Sequence, residues 1–442
     1  MGDTIVQKRS SYGYVSALAL AILISGQIAS SAAAQTSAET LQQAWDIAQS
    51  ADHGLKASHD ETAAARSQLS AARAARLPSL NADANYLAVS KLPELKADLL
   101  GQSFQIPVAQ RNGVIASSSV TLPLYTGGRI EHGIAAASSV VKASEFGETS
   151  SEQDLKLRVA EAYVNVLRAT RVLQVAKSHQ AALEAHVRDV NNLAQEGMAA
   201  KNAQLSSQVA LLDAQQQVLQ VTNNLDLACA AYNRLLGRPL DQPVLLEDVA
   251  PEAQNGDLPQ LVERAVQERS ELKALDRQIA ALRDQEIVVR RETVPQVGVS
   301  GGYDYLQDRY LQHEGQWVVG VGLKWNVFDG GSSRNRGRAI GLQASALHEK
   351  REDLASMIGL QVRQSWLDEQ TTRKRVDVTK SAIAQANENV RVVRDRYVNG
   401  LAPYTEVLDA ETARVSTETS NANAVYDAVM AGFRLKYSMG EL

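Results

Sequence analysis

The feature that most limits this chain is an internal duplication, because a fold made of two copies of one unit must carry the same elements twice in the same order. Leu122-Pro123-Leu124-Tyr125-Thr126-Gly127-Gly128 and Trp325-Asn326-Val327-Phe328-Asp329-Gly330-Gly331 end in Gly-Gly pairs 203 residues apart. At that offset Tyr163 meets Trp366, Gly197 meets Gly400, and Leu236-Gly237 meets Met439-Gly440. Upstream, Leu55 meets Leu272 and Pro78 meets Pro295 at an offset of 217. The first copy therefore holds 14 extra residues between Pro78 and Gly127, a difference that belongs in a surface loop. The predicted division is a leader at 1–34, a first repeat at 35–240, a linker at 241–257 with Pro243, Pro251 and Gly256, and a second repeat at 258–442.

The leader reads as a secretory signal peptide. Lys8 and Arg9 precede the apolar run Val15–Ile24, and Ala32-Ala33-Ala34 supplies small residues before a cut at Gln35. The alternative, a membrane-anchoring helix, suffers from a run shorter than the roughly 20 apolar residues that span a bilayer. Composition narrows the chemistry. Lys+Arg is 45 against Asp+Glu 50, so no basic nucleic-acid footprint is present. One cysteine, Cys229, excludes an intramolecular disulfide and a Cys-rich metal site. The seven histidines lack metal-ligand spacing, and neither a phosphate-cradling Gly-rich loop nor a G-x-S-x-G elbow occurs. No catalytic residue, metal or cofactor is expected.

Each copy reads as helix, two strands, very long helix, turn and second long helix. In the first copy helices are predicted at about 37–76, 129–195 and 202–236. From Leu155 onward, Val159, Ala162, Val166, Ala169, Leu173, Ala176, Leu183, Val187, Val190 and Ala194 keep a seven-residue repeat broken only by Gln180, the seam of a coiled coil. The second copy repeats it less cleanly, with Ser365, Glu369, Thr372 and Thr379 at equivalent places. Strands are predicted at about 79–89, 113–122, 296–306 and 317–326, where apolar and polar residues alternate. Leu80, Ala82, Ala84 and Tyr86 share one face, as do Val297, Val299, Tyr303 and Tyr305, while Asn81, Asp83, Asn85, Ser300 and Asp304 share the other. About ten residues is the length of a tilted membrane-spanning strand. Segments 90–112 and 307–316 would be outward loops. Four strands cannot close a barrel, so a chain that places them in lipid must oligomerise.

These residues resemble the TolC family of outer-membrane efflux proteins, over essentially the whole chain from Glu39 to Gly440. The resemblance rests on Leu77-Pro78-Ser79-Leu80 entering a strand and on Leu122-Pro123-Leu124-Tyr125-Thr126-Gly127-Gly128-Arg129 leaving one. It rests also on Tyr397-Val398-Asn399-Gly400-Leu401-Ala402-Pro403-Tyr404-Thr405-Glu406-Val407-Leu408-Asp409-Ala410 at a helix turn. It implies a mainly α fold with a transmembrane β part: a homotrimer with one 12-stranded β-barrel in outer-membrane lipid, continued by a periplasmic α-helical barrel. The implied function is passive conduction of small toxic compounds or secreted protein from an inner-membrane pump or ATP-driven exporter, through a periplasmic adaptor. The competing reading is a secreted periplasmic coiled-coil scaffold or adaptor that never enters a bilayer.

Site residues follow from both lines. Gly197 and Gly400 suit the left-handed residue that ends a helix, and Met198 and Leu401 are apolar side chains on the same turns. The resemblance makes these tips adaptor-docking. Glu406 and Asp409 lie three apart at the start of a helix, where acids are favoured in any case. The resemblance makes them a pore-constricting acidic ring, drawn from the second copy alone because Ala203 and Ser206 stand at the equivalent places. The resemblance matches Tyr397 to a residue that helps hold the mouth closed by polar links, and Tyr397 also falls on the seam, where a plain packing role serves. With Ala203 and Ala402 where polar partners are expected, the mouth should close through different or weaker contacts. Tyr86, Tyr303, Tyr305, Trp317 and Trp325 are expected at the lipid–water boundary.

Overall fold

The computed structural model describes residues 38–91, 94–99, 102–107, 109–197, 200–252 and 256–442; the expected leader at 1–34 lies outside them. The elements run α1 (Leu41–Ala51), α2 (His53–Ala74), β1 (Ser79–Ala88), β2 (Glu94–Leu99), β3 (Gln102–Pro107), β4 (Asn112–Tyr125), α3 (Arg129–Gln195) and α4 (Lys201–Leu235). They continue as α5 (Leu258–Glu268), α6 (Ser270–Arg290), β5 (Gln296–Leu306), β6 (Gly315–Lys324), α7 (Ser332–Val398) and α8 (Tyr404–Ser438). Helices α3 and α7 each have 67 residues and begin 203 positions apart; α4 and α8 each have 35 and share that offset. A rod of that length is about 100 Å long at 1.5 Å per residue.

Three local expectations are corrected. The helix expected at about 37–76 is two helices. Asp52 is extended (φ −64°, ψ 124°), ending α1 while its carboxylate caps α2 by accepting from the Leu55 N–H at 2.8 Å. The second copy breaks likewise at Arg269, whose buried guanidinium is held by Glu271 at 2.7 Å and by the Tyr437 carbonyl at 3.2 Å. Next, the expected loop at 90–112 contains the antiparallel hairpin β2–β3, closed between Leu99 and Gln102. Finally, β6 is Gly315–Lys324 rather than 317–326, leaving Trp325 outside the strand. Its partner β5 starts at Gln296, and the preceding Pro295 has no N–H with which to extend the ladder.

The four long strands form one antiparallel sheet in the order β1-β4-β5-β6. Register places Leu80, Val120, Gly301 and Val319 in one row across the sheet, and Ala82, Ser118, Tyr303 and Trp317 in the next apolar row. The other face carries Asn81, Ser119, Gly302 and Val318, then Asp83, Ser117, Asp304 and Gln316. One side is therefore greasy and the other wet, as the period-2 pattern requires. The greasy side is bare: Trp317 is 79% exposed, Val319 80% and Val321 74%. Strands β1 and β6 have no outer partner among the described residues.

Below the sheet, α2, α3, α6 and α7 pack side by side in the order of the strands they adjoin. Farther down, α4 packs on α3, α3 on α8, and α8 on α7. The main core surrounds the middle of α3, where Leu155, Val159, Tyr163 and Val164 meet Ala44, Ala48, Tyr232, Leu236, Tyr426 and Val429. The segment after α4 is bound into this core. The Tyr163 hydroxyl lies 2.7 Å from both the Glu39 and the Glu247 carbonyl, and the Asn233 amide donates to the Gln242 carbonyl at 2.8 Å. The Arg238 guanidinium grips the Glu39 carboxylate through two bonds of 2.8 and 3.0 Å.

Candidate pore mouth and membrane belt

The two helix turns most remote from the sheet are equivalent in backbone. Gly197 has φ +72° and Gly400 φ +71°, and space is open around both, so conformation and not crowding selects glycine there. At the second turn the Gly400 N–H donates to the Tyr397 carbonyl at 2.9 Å and the Leu401 N–H to the Arg396 carbonyl at 2.8 Å. Leu401 is 70% exposed on that turn. Met198 lies outside the described residues.

On the first turns of α8, Glu406 and Asp409 differ in their company. The Arg396 guanidinium pairs with Glu406 at 3.2 Å and donates to the Leu401 carbonyl at 3.4 Å. Asp409 is exposed and has no ion pair among the described residues. Both members of the Arg396–Glu406 pair are largely solvated, so the bond contributes at most about 1 kcal/mol. It nonetheless leaves Asp409 as the freer charge.

Tyr397 packs within a small aromatic cluster that the sequence did not reveal. Its ring lies edge-on to Tyr404 at 5.5 Å and to His186 at 6.3 Å, while His186 stacks parallel on Tyr404 at 3.4 Å. Val390, Val393, Val407 and Ala410 close around them. A lone histidine between the seam residues Leu183 and Val190, with no metal-ligand neighbour, carries no signal until α3, α7 and α8 are brought together. His186 is buried, and its Nε2 has no hydrogen-bond partner among the described residues. Burial pushes the imidazole from 6.5 down to about 4, with Asp189 raising it and Arg394 lowering it. The packed state thus refuses a proton that the separated state accepts. Its stability is full above pH 6.5 and declines as pH falls toward 4. Hydrogen exchange at the ends of α3 and α8, corrected for its intrinsic pH dependence, should show this loosening. His186→Phe keeps a stacked ring and should abolish the slope; an unchanged slope would assign it to other groups.

At the sheet, β1 and β5 run away from the helices and β4 and β6 return, so aromatic residues fall at two levels. Tyr86, Tyr303, Tyr305 and Trp317 lie toward the far end, and Tyr303 and Trp317 sit opposite each other with ring centroids 5.2 Å apart. Trp325 lies at the helix end, its indole donating to the Thr293 carbonyl at 2.9 Å. Two residues that the sequence reading left out of the belt share that level: Tyr125, 55% exposed, and Phe328, 84% exposed. They are 203 positions apart, each separated by one residue from a Gly-Gly junction, and that equivalence was the available signal.

Comparison with known proteins agrees with this architecture. The family model described as outer membrane efflux protein matches residues 44–238 and 261–441. Outer membrane protein TolC of Vibrio cholerae is 23% identical over 421 residues, 92% of this chain and 91% of that protein. Alkaline protease secretion protein AprF of Pseudomonas aeruginosa is 23% identical over 309 residues, 66% of this chain and 63%, or less than two thirds, of that protein. Among solved structures, the outer-membrane channel OprN superposes with a TM-score of 0.75 at 20% identity, covering 91% of this chain and 90% of that one. The Campylobacter jejuni CmeC outer membrane channel gives 0.76 at 14% identity, covering 91% and 85%.

Proposed function

The chain belongs to the outer membrane efflux protein family, and from that premise we propose that it is the outer-membrane duct of a tripartite export machine. Its place is the outer membrane, with the long helical body in the periplasm. The observation that carries the duct reading is the open sheet: one bare apolar face, one polar face and two edges unpaired among the described residues. Lipid tolerates no unpaired edge, so copies of the sheet must complete one another. Three copies give a cylinder of twelve strands with the apolar side outward and the polar side lining water.

The helical body supports the same assembly. The free flank of α4 exposes Leu205, Val209, Leu212 and Leu219, and α7 exposes Met357, Leu360, Leu367 and Val378. These helices end the row at opposite sides, so α7 of one copy can cover α4 of the next. A soluble scaffold, the alternative left by the sequence, would leave both the sheet face and these stripes wet. In the duct, the turns at Gly197-Met198 and Gly400-Leu401 receive a periplasmic adaptor, which joins the channel to an inner-membrane pump or ATP-driven exporter. The cargo is small toxic compounds or secreted protein.

Glu406 and Asp409 then surround the axis at the periplasmic mouth, attracting cations and repelling anions. Glu406→Gln with Asp409→Asn should lower cation preference and relieve block by multivalent cations in planar-bilayer conductance. Because Arg396 partly neutralises Glu406, Asp409→Asn alone should produce most of the change. Unaltered selectivity in the double variant would place both acids off the pore.

A further inference from the structure

The duct reading leaves one charge pattern unexplained. The four segments of 14 residues that flank the strands on their helix side, 65–78, 126–139, 282–295 and 325–338, hold ten arginines, no lysine and five acids. The chain as a whole has 45 bases against 50 acids, so positive charge is concentrated where sheet becomes helix. Several of these arginines serve the fold: Arg66 pairs with Glu145 at 2.9 Å, Arg290 with Glu286 at 2.7 Å, Arg336 with Glu292, and Arg291 donates to the Gly127 carbonyl at 2.7 Å. Arg73, Arg76, Arg283, Arg334 and Arg338 are exposed in the single chain and have no ion pair among the described residues.

Helix electrostatics do not account for them all. Arg73 and Arg76 stand at the C-terminal end of α2, where the dipole favours cations. Arg334 lies in the first turn of α7, where it favours acids, and Arg338 lies one turn further on. Asp329 meets that end from inside the chain, accepting from the Gly331 and Ser333 N–H groups at 2.9 and 2.8 Å, and the two guanidiniums themselves stay free to meet an outside anion. Arginine to the exclusion of lysine points to an anion whose two oxygens can take the parallel N–H pair of a planar guanidinium, such as a phosphodiester. Height points the same way: Tyr125, Trp325 and Phe328, exposed at the helix end of the strands, mark the lipid–water boundary, and the collar begins within about two helical turns of them. Long arginine stems reach from such a position to headgroup level.

We propose that this arginine collar binds the phosphate headgroups of anionic phospholipid in the periplasmic leaflet, fixing the depth at which the duct sits; the inference rests on the duct reading above. The test uses full-length protein reconstituted in phosphatidylcholine vesicles with a minority of phosphatidylglycerol, then extracted and weighed intact to count retained lipid. Wild type should retain phosphatidylglycerol in preference to phosphatidylcholine. Replacing Arg73, Arg76, Arg334 and Arg338 with Gln should cut that preference roughly tenfold, since each base near an anionic surface adds attraction. A charge-matched control replaces Lys350, Arg363, Lys374 and Lys380 with Gln on the remote part of α7 and should retain the preference. Equal loss in both variants, or none in the collar variant, overturns the proposal. Displacement of the lipid by inorganic phosphate would assign the site to a soluble anion and overturn it too. Bilayer conductance of the same preparations separates the two readings: loss of lipid preference with conductance intact concerns the collar, whereas absent conductance in wild type defeats the duct.

Discussion

Val319→Arg should keep the protein out of the outer membrane. Val319 lies midway along β6, 80% exposed, in the apolar row with Leu80, Val120 and Gly301. An arginine on the lipid face at mid-depth costs about 2–4 kcal/mol, and a symmetric assembly incurs that cost once per copy. The neighbouring Val318 faces the polar side with Asn81, Ser119 and Gly302, so Val318→Arg should insert normally. The pair is diagnostic because the two substitutions differ only in the face they reach. Fractionation and heat-modifiable mobility would read the result. Equal insertion of both would mean that the bare face does not meet lipid.

The second large effect concerns the remote turns. Leu401→Glu with Gly400→Arg should abolish export while the protein remains assembled in the outer membrane. Leu401 is 70% exposed on a turn that makes no use of its side chain for packing, and an apolar anchor on a docking surface is typically worth about 2 kcal/mol or more, over tenfold in affinity. Gly400→Asn is the necessary control. Asn tolerates the left-handed backbone that Gly400 adopts at φ +71°, so it should preserve the turn and much of the export. Undiminished export by the Leu401→Glu, Gly400→Arg variant would show that the tip is no docking surface.

Much of this architecture was legible in the sequence because its periods are unambiguous. The strands declared themselves through alternation, broken at few places such as Val318, and register then placed the alternating residues of β1, β4, β5 and β6 on one common face. Paired glycines at fixed spacing marked the junctions, and Gly127, Gly128, Gly330 and Gly331 all have positive φ. What escaped was set by contacts between distant segments. The break at Arg269 has no Pro or Gly to announce it; it depends on carbonyls of Tyr437 and Ser438, which lie 168 and 169 positions away. The hairpin β2–β3 does alternate in sequence, Leu95, Ala97 and Leu99 against Glu94, Lys96 and Asp98, but its strands have only 6 residues each and a proline closes the second, so the pattern was too short to stand out from a loop. At the mouth, Arg396 and Glu406 are ten positions apart, a spacing that is meaningless until the turn at Gly400 folds them together. His186 is the clearest case, since its stacking on Tyr404 joins residues from two repeats.

The most direct test of the account is the oligomeric mass and conductance of the same purified, mature protein. Crosslinking in detergent should give a closed trimer, and addition of that trimer to a planar lipid bilayer should give discrete, cation-preferring openings. A monodisperse monomer that leaves the bilayer silent would contradict the claim that each chain supplies one third of a shared, water-filled wall.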